Sequence, residues 1–76
     1  MITVKLYGLL RLNSGIKELS VDAASRKELI KKLEAKGLSH SELTGCSMIV
    51  NGQPAGKRTS LEDGDIVQLF PPVAGG

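Results

Sequence analysis

The sequence predicts an α+β domain: a mixed sheet of four to five strands with one main helix packed on one face. Apolar and polar residues alternate over residues 2–7 and again over 16–22, the period-two pattern of half-buried strands. A capping box at Ser25 then opens a stretch whose apolar residues recur at helical spacing. Two further alternating segments, 46–51 and 65–70, come after the helix. A hairpin followed by a helix and more strands is an α+β order, in which the helix covers one sheet face and the other stays open to solvent.

In the first strand Ile2, Val4 and Leu6 face one way, and Thr3, Lys5 and Tyr7 the other. Residues 8–15 connect it to the second, with Leu9, Leu10 and Leu12 making the segment more apolar than a plain hairpin loop needs. Strand two turns Leu19 and Val21 inward, and strands this close in sequence pair most easily as a hairpin. Ser25 is the predicted N-cap and Glu28 sits at N3; Leu29, Ile30 and Leu33 share one face, and Glu28 and Lys32 are spaced for an i, i+4 pair. Lys36-Gly37 stops the helix after about three turns. Residues 39–42 are read as capping a second short turn. Met48 and Val50 point inward from the third strand and Ile49 outward, and Asn51-Gly52 makes a tight turn. One brief edge strand is expected within 53–61, and Asp63-Gly64 marks another turn. In the last strand Val67 and Leu69 face in; Ile66, Gln68 and Phe70 face out. Pro71-Pro72 ends sheet pairing because neither residue can donate a ladder hydrogen bond. The first and last strands are expected side by side in the middle of the sheet. The domain is expected over 1–70, with a flexible C-terminal tail over 71–76 that ends in Gly-Gly.

Composition narrows the function. The chain has 76 residues, of which 41% are hydrophobic and only Tyr7 and Phe70 aromatic, so its core must be aliphatic. Net charge is +2, too weak to argue for nucleic acid. No apolar run is long enough for a membrane span, and the alternating start lacks the apolar stretch of a signal peptide. One cysteine cannot form an internal disulfide, which makes a reducing cytoplasm the expected compartment. One Cys and one His do not make a metal-ligand set. A self-contained hydrolase or metalloenzyme is therefore not expected.

Internal residues offer little chemistry. Cys46 reads as a small buried hydrophobe and His40 as a surface residue between serines. Lys57-Arg58 is a minimal basic pair typical of a solvated edge, and Glu62, Asp63 and Asp65 surround a turn. The end of the chain differs. Gly75-Gly76 follows an extended Pro-Pro segment, and six residues from Pro71 reach about 20 Å when extended. The last two residues carry no Cβ, so this tail can thread a narrow channel. A terminal carboxylate is ionised at neutral pH and is a poor electrophile. Converted to an acyl-adenylate, it would react with a sulfur or amine nucleophile. Two terminal glycines by themselves read more readily as a frayed end; the fold pattern before them reverses that preference. Ile49, Ile66 and Phe70, all expected on the open sheet face, would form an apolar patch beside the tail.

The whole chain resembles the β-grasp sulfur carriers of the ubiquitin-like superfamily, and among them the small subunit of molybdopterin synthase. Residues 61–67, Leu-Glu-Asp-Gly-Asp-Ile-Val, fit the family's L-x-D-G-D-x-V, and 70–76, Phe-Pro-Pro-Val-Ala-Gly-Gly, fit its F-P-P-V-x-G-G. Leu10-Arg11 followed by Gly15 resembles the family's first-loop L-R-x-x-x-G, and the Asn51-Gly52 turn also fits. The chain departs from the pattern at Leu12, where an acidic residue is common, and is slightly short between helix and third strand.

The resemblance implies a ubiquitin-like β-grasp fold and a sulfur carrier rather than an enzyme. A ubiquitin-activating-like adenylyltransferase would use ATP to adenylate Gly76. A sulfur donor such as a cysteine desulfurase or rhodanese would then convert the adenylate to a thiocarboxylate. The large subunit would hold the catalytic machinery and take sulfur from the inserted tail to build the molybdopterin dithiolene. By motif position Gly76 bears the sulfur and Gly75 is its slender neighbour. Phe70, Pro71, Pro72, Val73 and Ala74, with the Ile49 and Ile66 patch, would contact the partner. No bound cofactor is expected. A ubiquitin-like protein modifier, or a sulfur carrier serving thiazole, tRNA thiolation or a tungsten cofactor, remains the alternative, as does a plain interaction module.

Overall fold

The computed structural model describes residues 1–56 and 58–72. Among the described residues five strands form one mixed sheet: β1 (Ile2–Leu6), β2 (Glu18–Val21), β3 (Ser47–Val50), β4 (Gln53–Pro54) and β5 (Ile66–Phe70), in the order β2-β1-β5-β3-β4. Three helices among the same residues connect them: α1 (Gly8–Ser14), α2 (Arg26–Ala35) and α3 (His40–Gly45). The central pair, β1 and β5, is parallel, with Thr3 opposite Ile66 and Leu6 opposite Leu69. Its neighbours are antiparallel: Val4 pairs with Leu19, and Met48 with Leu69. First and last strands thus lie side by side at the centre, as the sequence predicts.

Strand alternation places Ile2, Val4, Leu6, Met48, Val67 and Leu69 on the covered face, all buried. Leu29 and Leu33 of α2 reach zero exposure against them. Leu19, Ile30 and Val50, predicted inside, are half-buried and pack at the edge of this cluster. Leu10, Leu38, Leu43, Cys46 and Leu61 complete the core from connecting segments, where no strand period announces them.

The ends of α2 follow from its sequence. The Ser25 hydroxyl accepts the Glu28 N–H at 3.2 Å. Glu28 reaches back to the Ala24 N–H, one residue before the usual capping-box partner. At the other end Gly37 adopts φ +101°, the Gly37 N–H bonds to the Glu34 carbonyl, and the Leu38 N–H to the Leu33 carbonyl. That is a Schellman stop, with buried Leu38 as its apolar contact.

The connection over 8–15 is a helix rather than a loop. Leu10 anchors α1 in the core, and Gly15 at φ +73° returns its N–H to the Arg11 carbonyl. The second strand accordingly begins at Glu18 rather than 16. Asn51 (φ +50°) and Gly52 (φ +83°) form the left-handed pair that a two-residue hairpin between β3 and β4 requires. Among the described residues, no helix is long and apolar enough to cross a membrane.

Candidate functional site

Strand β5 is the last strand before the candidate residues 71–76, so the site is built from β5 and whatever packs against its last residues. The parallel pairing of β1 with β5 brings the end of β1 to the end of β5. The Tyr7 N–H accordingly bonds to the Leu69 carbonyl at 3.2 Å. The Tyr7 ring stacks on Phe70 with centroids 4.5 Å apart and planes 10° from parallel. Gln68, the preceding outward residue of β5, donates its side-chain N–H to the Tyr7 hydroxyl at 2.9 Å. Tyr7 is therefore held from two sides, its apolar face on Phe70 and its polar tip satisfied.

The outward alternation of β5 holds. Ile66 is 44% exposed and Phe70 38%. Register puts Ile49 opposite Gln68 and Ser47 opposite Phe70 on this face. Ile49, predicted outward, is half-buried. Ile49, Ile66 and Phe70 thus share the open face, with Gln68 between the two outward apolar residues of β5. Tyr7, which enlarges the patch, was legible only as the outward member of an alternation. Nothing in local sequence pairs it with a residue 63 positions away.

Beyond Phe70 the chain turns over the start of α1. Pro71 packs on the backbone of Gly8, which stands at φ +57°. Pro71 and Pro72 line a cleft of about 250 Å³ with Leu9 on one side and Ser41, Glu42 and Gly45 of α3 on the other. Val73, Ala74, Gly75 and Gly76 lie outside the described residues, as does Lys57.

The remaining sequence candidates carry no chemistry. Cys46 is buried, its thiol donates to the Glu42 carbonyl at 2.8 Å, and burial, helped by the Glu42 carboxylate, pushes its pKa up. A thiol held protonated is a poor nucleophile. His40 is exposed and touches the Glu34 carboxylate across the α2–α3 junction. Asp65 braces a turn: its carboxylate accepts the Glu62 N–H at 2.8 Å and the Asn51 side-chain amide at 2.9 Å, which hold its pKa below the ordinary aspartate value. Among the described residues no group of His, Cys, Asp and Glu could hold a metal ion.

The comparisons with known proteins agree with this geometry. No curated protein matches the sequence. Solved structures do. Subunit 1 of the Helicobacter pylori molybdopterin-converting factor, in the structure of its complex with subunit 2, is similar at 29% identity with a TM-score of 0.74. The match spans 99% of this chain and 97% of that one. CysO of Mycobacterium tuberculosis is similar at 26% identity and a TM-score of 0.78, over 96% and 100%. The modifier protein SAMP1 of Haloferax volcanii is similar at 25% and 0.72, over 99% and 98%. The fold is that of a ubiquitin-like β-grasp domain. With residues 4–76 matching the family from the first strand to the terminal glycine, the chain belongs to the ThiS family of ubiquitin-like sulfur carriers.

Proposed function

We propose that the chain is the small subunit of a molybdopterin synthase and carries sulfur as a thiocarboxylate on Gly76. The observation that carries this reading is the tail root. Exposed Phe70, immediately before Pro71-Pro72 in the run that ends Gly-Gly, stacks on half-buried Tyr7. A tail of this kind works by insertion, and the stack offers the receiving protein an apolar hold next to the entry point. The 29% likeness to subunit 1 of a molybdopterin-converting factor, solved with its subunit 2, supports the same assignment.

The chemistry balances without any catalytic side chain on this chain. A carboxylate oxygen of Gly76 attacks the α-phosphorus of ATP on an activating enzyme and displaces pyrophosphate. The terminal sulfur of a persulfide on a donor such as a cysteine desulfurase or rhodanese attacks the acyl carbon and displaces AMP, which leaves with one former carboxylate oxygen; a donor thiol then cleaves the acyl disulfide, forming a disulfide on the donor and leaving the thiocarboxylate on Gly76. The resulting thiocarboxylate gives its sulfur to a pterin precursor on the large subunit, and water restores the carboxylate.

The test is intact-protein mass after incubation with ATP, sulfide and the cognate activating enzyme. A gain equal to one oxygen-to-sulfur exchange is expected. Formation of molybdopterin on adding the large subunit then fixes the pathway. A second reading, a protein modifier joined through Gly76 to a lysine, is favoured by the likeness to SAMP1. Isopeptide conjugates in cells, with no product from the large subunit, would establish that reading in place of the first.

A further inference from the structure

We infer that the outer face of α1, carrying Leu9 and Leu12, is a second arm of the docking surface for the large subunit. This rests on the sulfur-carrier reading and extends its partner footprint. Leu9 is 54% exposed and Leu12 76%. They are spaced i, i+3 and so share one face of the helix. Folding uses neither: the residue of α1 buried in the core is Leu10. Single exposed leucines are ordinary, but these two are distinguished by their place. Leu9 shares a cleft with Pro71 and Pro72, and the Asn13 side-chain amide, donating to the Glu42 carboxylate at 3.2 Å, ties α1 to the α3 wall of that cleft.

Pro72, the last described residue, lines this cleft. A protein that takes residues 73–76 into a channel has the channel mouth over Pro72. Its wall on the α1 side then lies on Leu9 and, one turn further, on Leu12. On the other side of Gly8 the mouth meets Tyr7 and Phe70. The tail root is thus flanked by two apolar surfaces that meet at Gly8, and the first is continuous with the second through Pro71. The occupant is identified by this continuity: an apolar rim around a tail-binding channel. The large subunit is chosen over the activating enzyme because the similar subunit 1 of the Helicobacter pylori molybdopterin-converting factor is solved in complex with its subunit 2.

The experiment compares the parent chain with the Leu9→Gln, Leu12→Gln double variant. Calorimetry against the large subunit reads affinity, thermal melting reads the fold, and mass spectrometry reads thiocarboxylate formation. The expected result is binding weakened about tenfold or more, with melting and thiocarboxylate formation unchanged. The difference should persist at high salt, since apolar contact is not screened. Unchanged affinity overturns the inference, as does a defect in thiocarboxylate formation with large-subunit binding intact, which would seat the activating enzyme on α1. Should the double variant melt early, Leu12→Gln alone decides, at the more exposed position. A parent chain that acquires no sulfur refutes the sulfur-carrier reading while the affinity comparison still reads the surface; a parent chain that acquires sulfur but does not bind the large subunit refutes the molybdopterin-synthase assignment and this inference together.

Discussion

Pro71 packs so closely on Gly8 that a β-carbon at position 8 would lie 2.9 Å from the Pro71 Cγ. Gly8 also stands at φ +57°, where a side chain is strained. The contact holds Pro71 over the start of α1. Gly8→Ala should therefore cost about 1–2 kcal/mol for the backbone, plus whatever is needed to push Pro71 away. Gly15→Ala is the control, because at φ +73° it meets nothing within 4 Å and carries the backbone cost alone. Urea denaturation should rank Gly8→Ala as the more destabilising. Adding Pro71→Ala should recover the excess; no recovery would mean that the close approach has no energetic consequence.

The core makes a sharper contrast. Leu33 is fully buried beneath the sheet, whereas Leu12 is 76% exposed. Leu33→Ala should cost about 2–5 kcal/mol, from lost transfer energy and the cavity left behind. Leu12→Ala should stay within about 0.5 kcal/mol of the parent. Equal midpoints in urea for the two variants would contradict the packing described.

Asp65 gives the fold an acid-sensitive joint. Its carboxylate accepts the Glu62 N–H and the Asn51 amide, while the Asn51 carbonyl oxygen accepts the Ile66 N–H at 2.9 Å. These bonds lower the folded-state pKa below the unfolded one. The contribution is present in full above the ordinary aspartate value, near about 4, and is lost as pH falls through the folded value. Asp65→Ala should thus be less stable than the parent at neutral pH, and the gap should narrow under acid. A gap that widens on acidification would show that the sign is wrong.

The order of strands and the main helix were legible because each carries its own period, two for the strands and 3.6 for α2, with a cap at Ser25 and a stop at Gly37. The short helix α1 was not. It starts on a glycine with no side-chain cap, and seven residues give too little periodicity to announce a helix. The surplus leucines were the signal: Leu10 needed a core to enter, and Gly15 supplied the left-handed stop. The outward face of β5 was legible from alternation alone. Tyr7 as the partner of Phe70 was not, because that pairing depends on the parallel crossover that sets β1 beside β5. Leu38, Leu43 and Leu61 escaped for a related reason, since connecting segments bury residues by topology rather than by period.

Phe70 serves both the fold and the surface. Stacked aromatic pairs contribute about 0.5–1.5 kcal/mol beyond area, so Phe70→Ala should lower stability by an amount of that order and leave the sheet intact. Its larger effect should be on binding, because the exposed part of the ring is what a partner can cover. Calorimetry with the large subunit should show weaker affinity for Phe70→Ala. Tyr7→Ala should do the same by releasing Phe70 from its stack. Affinity unchanged in both variants would remove the open sheet face from the interface.

The terminus separates chemistry from folding. Among the described residues the buried core runs from Ile2 to Leu69. Changes after Pro72 should have little effect on stability, as is general for chain ends. The proposed chemistry, by contrast, tolerates no change at the last residue. Deleting Gly76 moves the carboxylate one residue back from where the activating enzyme presents ATP. Appending a residue puts an amide where the carboxylate must be. A bulky side chain at Gly75 adds a branch where the channel is narrow. Each variant should melt with the parent, acquire no sulfur in the mass assay, and give background molybdopterin with the large subunit. If the truncated chain still formed product, sulfur could not travel on Gly76. If melting collapsed instead, the tail would be part of the packed domain, and Gly-Gly would have to be explained by packing rather than by passage through a channel.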